Sequence, residues 1–308
     1  MLGGGSAGDY ILADNGQQTS TTADISPKEI TVKITPNGGI YEGTITPATA
    51  VLDGLVGEDD PEIILTYAGR ANDGTAADGK VPSKAGTYTV TASIKDSNYS
   101  LKEDGSSAEF TIKRADPQLS VSAVKDKKYG EEAFKLEVSN KGDGVKSYVS
   151  SDDKVVTVDN NGVVTIIGTG TATLTVSLAE SANYTADQKE VTITVAPKEI
   201  TVKITPNGGT YEGTITPATA VLNGLVGKDN PEITLTYTGK ANDGTEVNGT
   251  EVPSLAGTYI VTATIKDKNY SLKPEGSSAE FVVAKADPAL SVSEVTDKDY
   301  GEETFRLN

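Results

Sequence analysis

"PKEITVKITPNGG" at Pro27–Gly39 returns letter for letter at Pro197–Gly209. Within it Ile30, Val32 and Ile34 alternate with Thr31, Lys33 and Thr35. A period of two with one apolar side is the pattern of a strand that buries one face. The same alternation runs through "TYTVTASI", where Tyr88, Val90, Ala92 and Ile94 share a face. It runs again through "TATLTVSL", with Ala172, Leu174, Val176 and Leu178. Turn signals punctuate these segments at Asn72-Asp73-Gly74, Asn161-Gly162 and Asp243-Gly244. No stretch of useful length carries a helical period. The chain is therefore expected to be all-β, built from small antiparallel β-sandwich modules of Ig-like type in an elongated array.

The repeat sets the organisation. Pro27–Thr75 and Pro197–Thr245 differ at 7 of 49 positions. After a one-residue insertion near Val247–Thr250, Val81–Glu137 matches Val252–Asn308 with 17 differences in 57. A period of about 170 residues is too long for one solenoid turn and fits a pair of small β domains. Pro-containing junctions, "KRADPQLS", "VAPKEI" and "AKADPALS", mark the borders. They contain no Gly or Ser run, and Pro restricts both itself and its neighbour, so stiff links are expected. The expected modules are residues 27–114, 115–196 and 197–285, with 286–308 the truncated start of a second copy of the middle one. Residues 1–26 read as a cloning scar, "MLGGGS", followed by the last strand of a preceding module, because Tyr10, Leu12 and Gly16 align with Tyr270, Leu272 and Gly276.

Composition excludes several chemistries. The 308 residues include no Cys, no His and no Trp, and the single Met is residue 1. Disulfides, thiol nucleophiles, His general bases and His- or Cys-ligated metals need groups that are missing. The net charge of −17 repels phosphate backbones, so nucleic acid is not an expected partner. No apolar run approaches the roughly 20 residues of a membrane span, and membrane insertion is not expected.

The modules resemble known bacterial families. The first and third share "YEGT" (Tyr41–Thr44, Tyr211–Thr214), "VLDGLVGEDD" or "VLNGLVGKDN", and "VPSKAGTYTVTASI" or "VPSLAGTYIVTATI". That order resembles the MBG and YDG modules of long surface and secreted proteins, with Glu42 and Glu212 where the family motif has Asp. The middle stretch, "SYVSSDDKVVTVDNNGVVTIIGTGTATLTVSL", resembles the group 2 bacterial Ig-like domain of intimin-like adhesins. The usual Trp ahead of Ser-Ser-Asp is missing, and Tyr148 stands nearby to supply bulk. The resemblance implies tandem β-sandwiches on a bacterial surface and implies no catalytic activity.

Each candidate site has a plain structural role beside the functional one. All four Phe and ten of thirteen Tyr fall at repeated positions, in the Tyr pairs 41/211, 67/237, 88/259, 99/270 and 129/300. Repetition at strand positions points to packing, with Tyr99 and Tyr270 plugging a sandwich end through a bonded hydroxyl. The acidic loops "GEDDPE", "SSDDK" and "VDNNG" read as solvated turn charge. A calcium cage at the first should not tolerate Lys228 and Asn230 in place of Glu58 and Asp60. "SDDK" (Ser151–Lys154) and "GTGTAT" (Gly168–Thr173) match S-x-x-K and a Gly-rich loop in form only, because neither opens or lies on a helix. Lys33 and Lys203, weighed as isopeptide donors, lie on a polar face. No catalytic, cofactor-binding or metal-ligating residue is therefore assigned, and no cofactor is expected.

The function expected from the sequence is a non-catalytic structural stalk or spacer in a large bacterial cell-surface or secreted adhesin-like protein, projecting a distal domain. The alternatives are an adhesin module recognising a host glycan or protein, and an accessory module of a surface polysaccharide-degrading enzyme. Expected partners are the neighbouring modules of the same chain, with a host glycan or protein and strand pairing with another copy through the cut ends as further candidates.

Overall fold

The first copy starts with β1 (Lys28–Thr35), which buries Ile30 and Val32 and turns Thr31 and Lys33 to solvent. The computed structural model describes residues 23–291 and 300–301; most of the N-terminal strand and of the closing partial module expected above lies outside them. β2 (Gly39–Ile40), β3 (Thr49–Asp53), β4 (Ile63–Ala71), β5 (Gly86–Ile94), β6 (Tyr99–Leu101) and β7 (Ser107–Lys113) complete the copy. One sheet has the order β3-β1-β6 and the other β2-β7-β5-β4. The long ladders, β4–β5 and β5–β7, are antiparallel. Short parallel pairs of two or three residues add β6 to β1 and β2 to β7.

The core is an aromatic triad set in small residues. Tyr67 meets Phe110 edge-on at 6.0 Å, and Tyr88 meets Phe110 at 5.7 Å with a 32° tilt. Ala48, Ala71, Val90 and Ile112 close around them, with Ile34 and Ile45 packed alongside. Each ring removes roughly 150–250 Å² from water, and such pairs add about 0.5–1.5 kcal/mol beyond burial. Both tyrosine hydroxyls are satisfied. Ala48 N–H donates to Tyr67 at 2.9 Å, and Tyr88 donates to the Lys84 carbonyl at 2.9 Å.

The middle stretch contributes β8 (Ser120–Val121), β9 (Lys127–Lys128), β10 (Phe134–Lys135), β11 (Val138–Ser139), β12 (Lys146–Ser150), β13 (Val156–Val158), β14 (Val163–Ile166), β15 (Gly170–Leu178) and β16 (Asp187–Ala196). Its sheets run β12-β15-β16-β9, β10-β14-β13 and β11-β8. Ala172, Leu174, Val176 and Leu178 are all buried along β15, as their alternation predicts. An ideal Cβ on Gly162 would lie 3.1 Å from the Tyr148 ring, so that ring covers the β13–β14 turn.

The second copy repeats the first with β17 (Lys198–Thr205), β18 (Gly209–Thr210), β19 (Thr219–Asn223), β20 (Ile233–Ala241), β22 (Gly257–Ile265), β23 (Tyr270–Leu272) and β24 (Ser278–Ala284). It adds β21 (Glu246–Gly249), which pairs with β20 from Tyr237↔Gly249 to Lys240↔Glu246. The first copy has only the isolated bridge Arg70↔Ala76 there. The first copy keeps the same register there, with Gly79 N–H donating to the Tyr67 carbonyl at 3.0 Å and Ala77 N–H to the Gly69 carbonyl at 3.2 Å, and the extra residue of the second copy falls after Gly249. Tyr237, Tyr259 and Phe281 rebuild the triad at 5.8 and 5.7 Å. Tyr259 has no exposed surface and donates to the Leu255 carbonyl at 2.8 Å. Tyr259→Phe should lower stability by about 1 kcal/mol, the net worth of one such bond. A thermal melt of the variant that matches the parent within error would show the bond to be idle.

By contact density the chain forms two units. Among the described residues, one holds those up to Gln118 with Lys141–Val145 and Leu178–Asp187; the other holds Leu119–Asn140, Lys146–Ser177 and those from Gln188 onward. Among the described residues there is no helix, so none is long and apolar enough to cross a membrane. No buried polar side-chain atom among them lacks a partner.

Candidate functional site

Each copy presents two loop-built ends, because β4 and β5, like β20 and β22, are in register over nine residue pairs. Nine residues at about 3.3 Å each span roughly 30 Å. The ends at which the copies meet the middle stretch carry polar side-chain networks.

In the first unit the end beyond Ala71 and Gly86 receives the loop Glu180–Thr185. Asn72 donates from Nδ2 to the Ala182 carbonyl at 2.8 Å. Ala85 N–H donates to Asn183 Oδ1 at 3.1 Å, and Arg114 Nε donates to the Ser181 carbonyl at 2.8 Å. Ala115 N–H reaches the Asn183 carbonyl and Thr185 N–H returns to the Ala115 carbonyl, at 2.9 and 3.0 Å. Tyr184 is buried against Tyr41 at 5.3 Å, edge to face. Its hydroxyl is pushed up to about 12, first by its hydrogen bond to Glu42 and then by burial. Glu42 adopts φ +61, a left-handed conformation that is uncommon away from glycine. The Arg114–Glu180 pair at 3.7 Å is largely exposed and contributes little.

In the second unit the other end of the second copy receives the Tyr129–Gly130 turn. Tyr129 and Tyr270 both donate to Asp229 Oδ2, at 2.8 and 2.5 Å. Val226 N–H donates to the Tyr270 hydroxyl at 2.9 Å, so a relay runs from a backbone amide through one phenol to a shared carboxylate. The two rings meet edge to face at 5.4 Å and 88°. Beside them Thr169 N–H donates to Asn269 Oδ1 at 2.9 Å, and the Thr169 hydroxyl donates to the Lys268 carbonyl at 3.1 Å. Asn269 is itself held by Asp267, which accepts its N–H at 2.9 Å.

The two phenols hold the Asp229 carboxyl below its usual range, Tyr270 first and Tyr129 second. Burial first, and then the bond to Asp229, push Tyr270 up to about 12. A depressed carboxyl favours the assembled joint in its ionised form. The stabilisation is complete at neutral pH and is lost as pH falls through the depressed value, below about 4. A raised phenol works the other way. Its contribution is complete below about pH 10 and is lost as pH rises through about 12. The Tyr129 ring resonances in NMR should therefore hold steady between about pH 5 and 9 and move together with the Val226 amide outside that window. Movement of the ring near pH 7 would contradict the assignment.

Several repeated side chains stand elsewhere than the packing pattern suggested. Tyr88, Tyr259, Tyr67 and Tyr237 are core, and Tyr99 and Tyr270 plug a sandwich end with bonded hydroxyls. Tyr41 and Tyr129 instead pack on partners across a joint, and Tyr211 is 38% exposed. In "GEDDPE" the middle acid is no free turn charge, because Asp59 accepts from Tyr99 at 2.5 Å as Asp229 does from Tyr270. The available signal was that Asp59 and Asp229 are identical while both flanking acids change. Asp159 of "VDNNG" accepts the Asn161 and Val163 amides at 2.8 Å each, and Asp152 of "SSDDK" accepts the Lys154 amide at 2.9 Å; both serve the turn. Among the described residues no cluster of three or more acids could hold a metal ion. A recess of about 520 Å³ under Glu246–Leu255 contains no aromatic ring.

Comparison with known proteins adds names to these parts. A family model described as the MBG domain matches residues 38–116 and 209–287. A model described as the intimin immunoglobulin-like domain matches residues 129–180. No curated protein matches. Domains 1–6 of the surface layer protein SbsC are similar at 15% identity and a TM-score of 0.26, covering 85% of this chain and 41% of that one. Drosophila N-cadherin EC1-3 is similar at 14% identity and a TM-score of 0.22, covering 84% and 98%. The Bacteroides ovatus protein SGBP-B, solved with a mixed-linkage heptasaccharide, is similar at 14% identity and a TM-score of 0.19, covering 92% and 74%. This chain spans less than half the length of the SbsC structures it matches, 41% and 49%.

Proposed function

Because the chain belongs to the MBG-domain family and sets an intimin-type immunoglobulin-like domain between its two MBG modules, we propose that it is a non-catalytic spacer in a bacterial cell-surface or secreted protein. Its work is mechanical: it holds some other domain at a distance. The observation that carries this reading is where the shared residues are spent. The identities between copies go to the aromatic triads and to the module ends, and the ends are used to grip a neighbouring module. A spacer needs a repeatable core and module ends that can join: the core is present in duplicate, and each copy grips the middle module through a different one of its ends. The modules dispense with disulfides, and a domain of 80–90 residues buries about 60–65% of its unfolded surface, enough to fold without them.

Pulling the chain from both ends in a single-molecule force experiment tests this. The expected record is a series of separate peaks, each releasing on the order of 300 Å, the contour of roughly 85 residues at about 3.6 Å each. A glycan panel run on the same chain should show no saturable binding. A single low-force event, or a glycan bound at micromolar concentration, would overturn the spacer reading and favour a recognition module.

A further inference from the structure

The end of the first MBG module repeats the receptacle that holds Tyr129–Gly130, without a described residue in the place of that turn. Tyr99 donates to Asp59 at 2.5 Å and Val56 N–H donates to Tyr99 at 3.0 Å. The corresponding bonds around Tyr270 are 2.5 and 2.9 Å. Asn98, the counterpart of Asn269, is held the same way, its N–H donating to Asp96 at 2.8 Å. Val56, Asp59, Asn98 and Tyr99 are identical to Val226, Asp229, Asn269 and Tyr270, while Glu58 and Asp60 beside them differ from Lys228 and Asn230. In the second module every one of those four residues touches the neighbouring immunoglobulin-like domain.

The chain also carries a second ligand for such a receptacle. Tyr300–Gly301 lies 171 residues after Tyr129–Gly130, in "KDYGEE" against "KKYGEE". Tyr300 is fully exposed, and Gly301 has φ +103 with open space around it. Gly130 has φ +83, so both turns use the left-handed backbone that lets a Tyr lead into the joint.

We propose that Asp59, Tyr99, Val56 and Asn98 form a docking site for the Tyr300–Gly301 turn of a second copy of this chain. The contact is heterologous, because the surface that binds differs from the surface bound. Contacts of this kind grow open chains unless the rotation happens to close a ring. The footprint is small, so association is weak. Each copy carries −17, and added salt, by screening that repulsion, strengthens the contact. The inference does not depend on the spacer reading, since it concerns one contact and not what the array is for.

Sedimentation equilibrium of the 308-residue chain in about 0.5 M salt, from about 10 µM to 1 mM, tests it. The expected weight-average mass rises steadily above 31.9 kDa with no plateau at the dimer. Tyr300→Ala and Asp59→Ala should each weaken association at least tenfold. An equimolar mixture of the two variants should recover association but stop at a dimer. There the intact receptacle of one binds the intact turn of the other, and nothing remains to extend. A mass fixed at that of the monomer, association that survives either substitution, or a mixture that grows past the dimer would each overturn the proposal. The last two would assign the contact to strand pairing or to another surface.

Discussion

Replacing Phe281 by Ala should destabilise the second MBG module by about 3–5 kcal/mol and leave the first module unchanged. Phe281 stands between Tyr237 at 5.8 Å and Tyr259 at 5.7 Å, and Val261 and Val283 pack beside it without exposed surface to speak of. Truncation removes the ring's transfer energy and both aromatic contacts. It also leaves a cavity that two stiff sheets cannot collapse into. Hydrogen exchange read module by module gives the check. Amides of β22 and β24 should lose protection while those of β5 and β7 keep theirs. The mirror variant Phe110→Ala should do the same to the first module by the same amount, because Phe110 sits at 6.0 and 5.7 Å from Tyr67 and Tyr88. Equal loss of protection in both modules from either variant would mean that the copies unfold as one unit.

Gly130→Ala should open the joint between the immunoglobulin-like domain and the second MBG module. An ideal Cβ at Gly130 would lie 2.3 Å from Val226 Cγ2, well inside contact distance, and the residue's φ is +83. The left-handed backbone costs an L residue about 1–2 kcal/mol, and forcing a methyl into a packed contact costs about 1–3 kcal/mol more. Together these exceed what the one phenol–carboxylate bond across the joint, Tyr129 to Asp229, returns, so the turn should leave its receptacle. The Val226 amide, bonded to Tyr270 beside the joint, and the Thr169 amide, bonded to Asn269 across it, both at 2.9 Å, should then exchange at least tenfold faster. Gly301→Ala is the control. It meets nothing within 4 Å and should change neither amide. A Gly130→Ala chain with both amides still protected would show that Tyr129 is held by something other than the fit at Gly130.

The strands were legible because their burial is a property of each residue's place in an alternating run. Ile30, Val32, Leu174 and Val176 could be assigned to a buried face from their neighbours alone, and they are buried there. Tyr259 and Tyr88 could be read as core for the same reason. The joints were not legible in this way. Tyr129 and Tyr259 are both Tyr at repeated positions, yet one is fully enclosed within its own module and the other points into a different one. Asp229 reads in sequence as one acid among several in a turn. Its role depends on Tyr129, a hundred residues earlier, and no local period connects them.

By itself the amino-acid sequence determined that this protein is all-β, that it is written as two near-identical MBG modules around an immunoglobulin-like one, and that Cys and His chemistry is closed to it. These follow from composition, from a period of two and from a direct comparison of letters. Only the tertiary structure decided which repeated side chains serve the core and which serve the contact between modules. Burial inside a sheet is dictated by nearest neighbours along the strand, whereas a joint is made where chain ends and loops from distant positions converge. There a single carboxylate can be satisfied by two phenols that the sequence keeps 141 residues apart.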